Sequence, residues 1–134
     1  TPGARVVVVS SSAQNYGRID FSDLNWERRG YRAWAAYCQS KLAQVMLTFD
    51  LAEELEGAGV TANCLHPATY MPTKMVTDSG TTPISSLEEG TRATARLVVD
   101  PELDEVSGRY FDGESEARAH PQAYDGDARR RLRD

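Results

Sequence analysis

A chain of 134 residues with 26% charged and 40% hydrophobic side chains has the make-up of a single soluble globular domain. Its net charge of −5 offers no basic surface for nucleic acid or anionic lipid, and no apolar run approaches the ~20 residues of a membrane span. Cys38 and Cys64 stand outside any CxxC spacing, which argues against a thiol metal site or redox motif; they read as reduced, partly buried thiols of a cytoplasmic protein.

Just after Thr1-Pro2-Gly3, Arg5-Val6-Val7-Val8-Val9 is an apolar, β-branched run of the kind found in strands buried on both faces. It ends in Ser10-Ser11-Ser12, and such strand ends are where an open α/β sheet places its ligands. Gln14 to Gly30 is a polar connector. From about Arg32 to Glu56 the pattern predicts a strongly amphipathic helix, with Cys38, Leu42, Val45, Met46, Phe49 and Ala52 in one stripe. Gly57 and Gly59 stop it. Val60 to Leu65 reads as a second strand, closed by His66-Pro67-Ala68. Residues 69–83, rich in hydroxyls and holding Pro72, Gly80 and Pro83, read as a mobile loop. Ser85-x-x-Glu88 is a capping box for a helix through about Val99, which Pro101 ends. A third strand falls near 108–112, and the charged tail forms a short helix from about Pro121.

Tyr37 and Lys41 carry the chemistry. Four residues apart on a helix, they share one face, with Cβ atoms about 5–6 Å apart. A phenol is a poor acid or base at neutral pH, because its ordinary pKa is near ~10. A nearby ammonium stabilises the phenolate and makes the pair a candidate general acid/base for an alcohol or carbonyl. The spacing alone is a weak signal; its setting between two strand ends gives it weight.

Arg5 to Ala13, Tyr37 to Leu42, and Ala62 to Ala68, in that order and spacing, resemble the short-chain dehydrogenase/reductase family, and within it the retinol-dehydrogenase-like branch. Ser107 to Gly113 is similar to the last strand of such enzymes. The resemblance implies an α/β fold, the C-terminal part of a doubly wound, parallel-sheet Rossmann-type domain. It implies NAD(P)-dependent interconversion of an alcohol and a carbonyl compound. Ser11 would hydrogen-bond the substrate oxygen, Tyr37 would pass a proton to or from it, and Lys41 would hold the nicotinamide ribose. The turn Pro67, Ala68, Thr69 and Tyr70 would lie against the nicotinamide of NAD or NADP. Ala68 stands where the family usually has glycine, which restricts any positive-φ geometry there. Pro72 stands where a threonine is common, with Thr73 next to it.

The sequence holds no glycine-rich turn to cradle a pyrophosphate, so the expectation is a C-terminal half, inactive by itself. The Tyr37 helix is a possible homodimer surface, and no metal is expected. The alternative is a non-catalytic Rossmann-type relative for cofactor sensing or partner binding. Blander readings apply elsewhere. The three serines suit a strand end that bonds its own backbone. His66 reads as a packed histidine, and Arg129, Arg130, Arg131 and Arg133 as a solvated helix face. Trp26 and Trp34 could line a substrate pocket, but the commoner reading is connector packing, and they are not assigned to the site.

Overall fold

Four consecutive β-branched valines favour extended backbone, and Arg5–Val9 forms strand β1 of a computed structural model that describes residues 1–134. β2 (Thr61–His66) pairs parallel to it, with Val6 opposite Ala62 and Val8 opposite Cys64. β3 (Tyr110–Asp112) pairs parallel to β2 on its other side. The three expected strands are therefore neighbours, in sheet order β1-β2-β3-β4. The fourth, β4 (Ser115–Ala117), was not anticipated. It returns antiparallel to β3 through a two-residue loop whose first residue, Gly113, takes φ 60.

Helices cover both faces, so β2 is buried along nearly its whole length, its polar Asn63 and His66 included. Cys64 and Tyr110 face α1 (Ala33–Glu54), meeting Leu42, Val45 and Met46. Leu65 and Phe111 face the opposite way, onto Ala93 and Leu97 of α3 (Leu87–Val99). Each such side chain removed from water contributes roughly 1.5–3 kcal/mol. β1 forms the outer edge, pairs only with β2, and is half-buried rather than enclosed on both faces; Val9 is 46% exposed. The buried stripe of α1 follows the expected positions from Cys38 to Phe49. Its outer face is not the polar one that strong amphipathicity implies. It carries Trp34 and Leu47, 59% and 58% exposed.

The connector is pinned rather than slack. Asp23 accepts backbone N–H bonds from Glu27, Arg28 and Arg29, and Ile19 is buried in the α1 core with its backbone held by the Gln122 amide. Gly17 lies so close to α1 that a Cβ there would stand 2.4 Å from the Cys38 carbonyl oxygen. The segment read as a mobile loop contains a short helix, α2 (Lys74–Asp78). The capping box of α3 falls one residue later than expected, on Ser86 and Glu89. Ser85 is otherwise engaged: its hydroxyl accepts from the Thr69 N–H, and its own N–H donates to the Thr69 carbonyl.

At the far end of α3, the Arg5 guanidinium donates to the Leu97 and Asp100 carbonyls and pairs with Asp104, which ties β1 to the helix terminus. The tail forms a 3-10 turn at Pro121–Tyr124 and then α4 (Gly126–Arg133). Its arginines are not simply solvated. Arg129, only 10% exposed, donates to Asp50 at 2.7 Å and Glu53 at 2.6 Å, and Arg133 pairs with Glu54. α4 is thereby fastened along the outside of α1.

Candidate active site

The chain runs from β1 through the connector into α1 and then back into β2, so the first turns of α1 lie beyond the C-terminal ends of the strands. One hydrogen bond fixes this placement. Ser10, the buried residue after β1, donates from its hydroxyl to the Lys41 carbonyl at 2.9 Å. Ser11 points elsewhere. Its oxygen accepts from the Ala13 N–H at 3.1 Å and caps the 3-10 turn Ser12–Tyr16, an arrangement that leaves the hydroxyl hydrogen available as a donor.

Lys41 bridges the strand end and the helix face. Its ammonium donates to the Val9 carbonyl at 3.4 Å and lies 5.6 Å from the centre of the Tyr37 ring. Burial holds it below the ordinary lysine value of 10.5, because a desolvated ammonium is disfavoured. Tyr37 is stacked in turn on Trp34, with ring centres 5.9 Å apart and planes 23° off parallel. Lys41, Tyr37 and Trp34 thus form a ladder along one helix face, climbing away from the sheet.

Opposite stands the turn after β2. His66 Nε2 lies 3.0 Å from the Thr69 hydroxyl, and the Tyr70 carbonyl accepts the Ile84 N–H at 2.9 Å. Together with the Ser85 bonds, this closes the base of the 71–83 segment. The Ala68 position carries no strain, since its backbone stays out of the positive-φ region. The residue that takes the left-handed conformation is Tyr70, at φ 46. A bulky side chain there costs on the order of 1 kcal/mol and persists only where surrounding bonds impose it.

These elements enclose a cleft of about 820 Å³. Every residue the sequence nominated lines it: Ser11, Tyr37, Lys41, Pro67, Ala68, Thr69 and Tyr70. Sequence reasoning passed over Trp34, Tyr16, Met71, Met75 and Val76, which line it too. For Trp34 the signal was present, because a residue three before Tyr37 shares its helix face. Trp26 packs the connector as expected, under the Arg29 guanidinium at 3.5 Å. Thr73 lies in the lining despite Pro72 before it.

His66 is buried as expected, and burial pushes its imidazolium below the ordinary 6.5, while Asp112 pulls weakly the other way. The folded protein therefore resists a proton that the unfolded chain accepts. Stability is full above pH 6.5 and declines as pH falls through the depressed folded-state value. His120 is shifted the same way by burial, so the comparison needs a variant. In urea melts between about pH 7.5 and about pH 5, His66→Gln is expected to lose less stability than the parent. An equal loss in both proteins means that His66 does not titrate with folding.

Residues 2–83 match a family model described as short chain dehydrogenase. Among curated proteins, Retinol dehydrogenase 13 of Homo sapiens is 42% identical over 96% of this chain and 43% of its own length. Retinol dehydrogenase 14 of Mus musculus is 36% identical over 98% of this chain and 42% of its own. A probable oxidoreductase of Streptomyces lividans is 36% identical over 86% and 44%. The chain thus spans less than half the length of these relatives. Among solved structures, an uncharacterised protein of Mycobacterium Paratuberculosis superposes with a TM-score of 0.68 at 30% identity, over 96% of this chain and 47% of that one. An NADPH bound carbonyl reductase from chicken fatty liver superposes at 0.62 and 23% identity, over 87% and 40%, which shows the shared fold alone.

Proposed function

The chain belongs to the short chain dehydrogenase family, and on that premise we propose that its cleft serves NAD(P)-dependent interconversion of an alcohol and a carbonyl compound. The observation that carries this reading is the convergence of Ser11, Tyr37 and Lys41, from two separate elements, on one cleft at the strand ends. A nicotinamide cofactor supplies or accepts the hydride when bound. The residues present suit its ribose end. Lys41 is a partly desolvated ammonium with donors to spare beyond the Val9 carbonyl, and the Pro67–Tyr70 turn forms a wall across from it. Pyrophosphate recognition has no glycine-rich turn to rest on within this sequence.

During reduction, the Ser11 hydroxyl donates to the carbonyl oxygen and stabilises charge developing there. The Tyr37 phenol delivers its proton to the same oxygen, and the Lys41 ammonium favours the phenolate left behind. Oxidation runs the same transfers backwards. Lys41 is the one lysine, arginine or acidic side chain of the cleft lining, which mixes serine and threonine hydroxyls with aromatic and methionine side chains, so a substrate with an uncharged, largely apolar body fits it. That preference agrees with relatives named as retinol dehydrogenases. A homodimer through the outer face of α1 is supported by its exposed Leu47 and by the apolar groove it shares with Leu132 of α4.

The reaction is tested on the chain as it stands and on a form extended by the dinucleotide-binding half of a curated relative. Carbonyl-dependent consumption of NADH or NADPH is expected from the extended form and not from the chain alone. A folded extended form that consumes neither cofactor, across a panel of apolar aldehydes and ketones, rejects the oxidoreductase reading.

A further inference from the structure

His66 is a buried polar side chain that the proton transfers of the cleft leave without a role. Its place follows from strand period. Cys64 faces α1, and side chains two apart on a strand share a face, so His66 faces the same way at the last position of β2. Asp112 of β3 stands opposite it in register on one side, and on the other the Ser10 N–H bonds the Leu65 carbonyl. The chain then turns through Pro67 and Ala68 and brings Thr69 back to the ring, where His66 Nε2 and the Thr69 hydroxyl oxygen are 3.0 Å apart. Both backbone polar groups of Thr69 are taken by Ser85. Its hydroxyl is the one polar group it has left for the cleft it lines.

The direction of the His66–Thr69 bond decides what Thr69 offers. If the ring donates, the hydroxyl hydrogen stays free; if the hydroxyl donates, only a lone pair is left. Thr69 is the sole hydrogen-bond partner of the imidazole, and Asp112, though opposite, makes no bond to the ring. A proton on Nδ1 has no protein acceptor, whereas a proton on Nε2 has the Thr69 oxygen. An N–H deprived of an acceptor is costlier than an idle lone pair, so the ring is the donor. Thr69 then matches Ser11 across the cleft: in each, an N–H holds the oxygen and the hydroxyl hydrogen is free to donate.

We propose that Thr69 is a ligand-binding donor, that His66 is the positioning residue which fixes its direction, and that the pair takes a carbonyl oxygen lying against the Pro67–Tyr70 wall, the carboxamide oxygen of a nicotinamide. The identity of the ligand rests on the oxidoreductase reading, but the direction of the bond and the recognition of a carboxamide do not require turnover. Two NMR measurements on the labelled full chain test it. The first reads which imidazole nitrogen of His66 carries the proton. The second titrates nicotinamide and thionicotinamide, probes of like shape whose oxygen and sulfur differ in accepting strength, and follows the Thr69 backbone N–H signal.

The proton is expected on Nε2, and nicotinamide is expected to bind about three- to tenfold more tightly than thionicotinamide, the scale of one neutral hydrogen bond. Thr69→Val and His66→Leu are expected to erase that preference. Thr69→Ser, and His66→Gln with its amide N–H, are expected to keep most of it, which a merely structural role for His66 does not require. Should His66→Leu fail to fold, the tautomer and the Thr69 variants still decide. A proton on Nδ1, equal affinity for the two probes, binding of neither, a preference that survives Thr69→Val, or its loss in a folded His66→Gln each overturns the proposal. If the preference holds and the extended form never turns over, the oxidoreductase reading fails and the carboxamide site stands.

Discussion

Tyr37→Phe is expected to lower kcat of the turnover-competent form by about 10²–10⁴-fold, the usual cost of removing a general acid/base, while cofactor affinity stays within a few-fold. The substitution is unusually clean in this setting. Phenylalanine keeps the ring that stacks on Trp34 and the face that lies near the Lys41 ammonium. Only the hydroxyl is lost, so packing and cofactor-side contacts remain and the proton does not. Steady-state kinetics with titration of NADH and NADPH separates the two effects. A kcat within about threefold of the parent means another group moves the proton, and Tyr37 is then a packing residue.

The second large effect is expected at Ser11, where alanine should reduce kcat by roughly 10²–10³-fold, as for loss of one donor to a developing oxyanion. The structure separates this serine from its neighbour. The Ser10 hydroxyl is buried and already donates to the Lys41 carbonyl, so it has no hydrogen left for a substrate. Ser10→Ala should cost about 1 kcal/mol of stability through that lost bond and change kcat only modestly. The Ser11 oxygen accepts from the Ala13 N–H, which leaves its hydroxyl hydrogen free to donate. Parallel measurement of kcat and denaturation midpoint for both variants decides the assignment. A larger loss of kcat at Ser10, or small equal losses at both, places the oxyanion donor elsewhere.

Where local pattern governed structure, the sequence was readable. The valine run, the Cys38-to-Phe49 stripe and the order of three parallel strands depend on side-chain period and β-branching, and the sheet and helices follow them. Features set by partners distant in sequence were not. Ser85 has the look of an N-cap, but its bonds to Thr69 move the cap to Ser86. Arg129 reads as a surface residue until α4 is placed beside Asp50 and Glu53. Alanine at 68 restricts positive φ there, but the turn places its left-handed residue at Tyr70, beside the hydrogen bonds of Thr69 and Ile84. Trp34 was legible by helix geometry but was weighed as connector packing, since nothing in the sequence says which way a helix face turns toward a cleft.

The fastening of α4 to α1 has a bearing on how the molecule answers its solvent. α4 buries Ala128, packs a partly buried Leu132 against the core, and is fastened to α1 by ion pairs of unequal depth. Arg129–Asp50 is sheltered, with both side chains little exposed, whereas Glu53, Glu54 and Arg133 lie open. Dissolved salt screens open pairs far more than sheltered ones. Rising ionic strength therefore loosens α4 from its outer end first, leaving Arg129–Asp50 as a pivot. Swinging on that pivot uncovers the strip of α1 around Met46 and Leu47, whose groove shares no lining residue with the cleft.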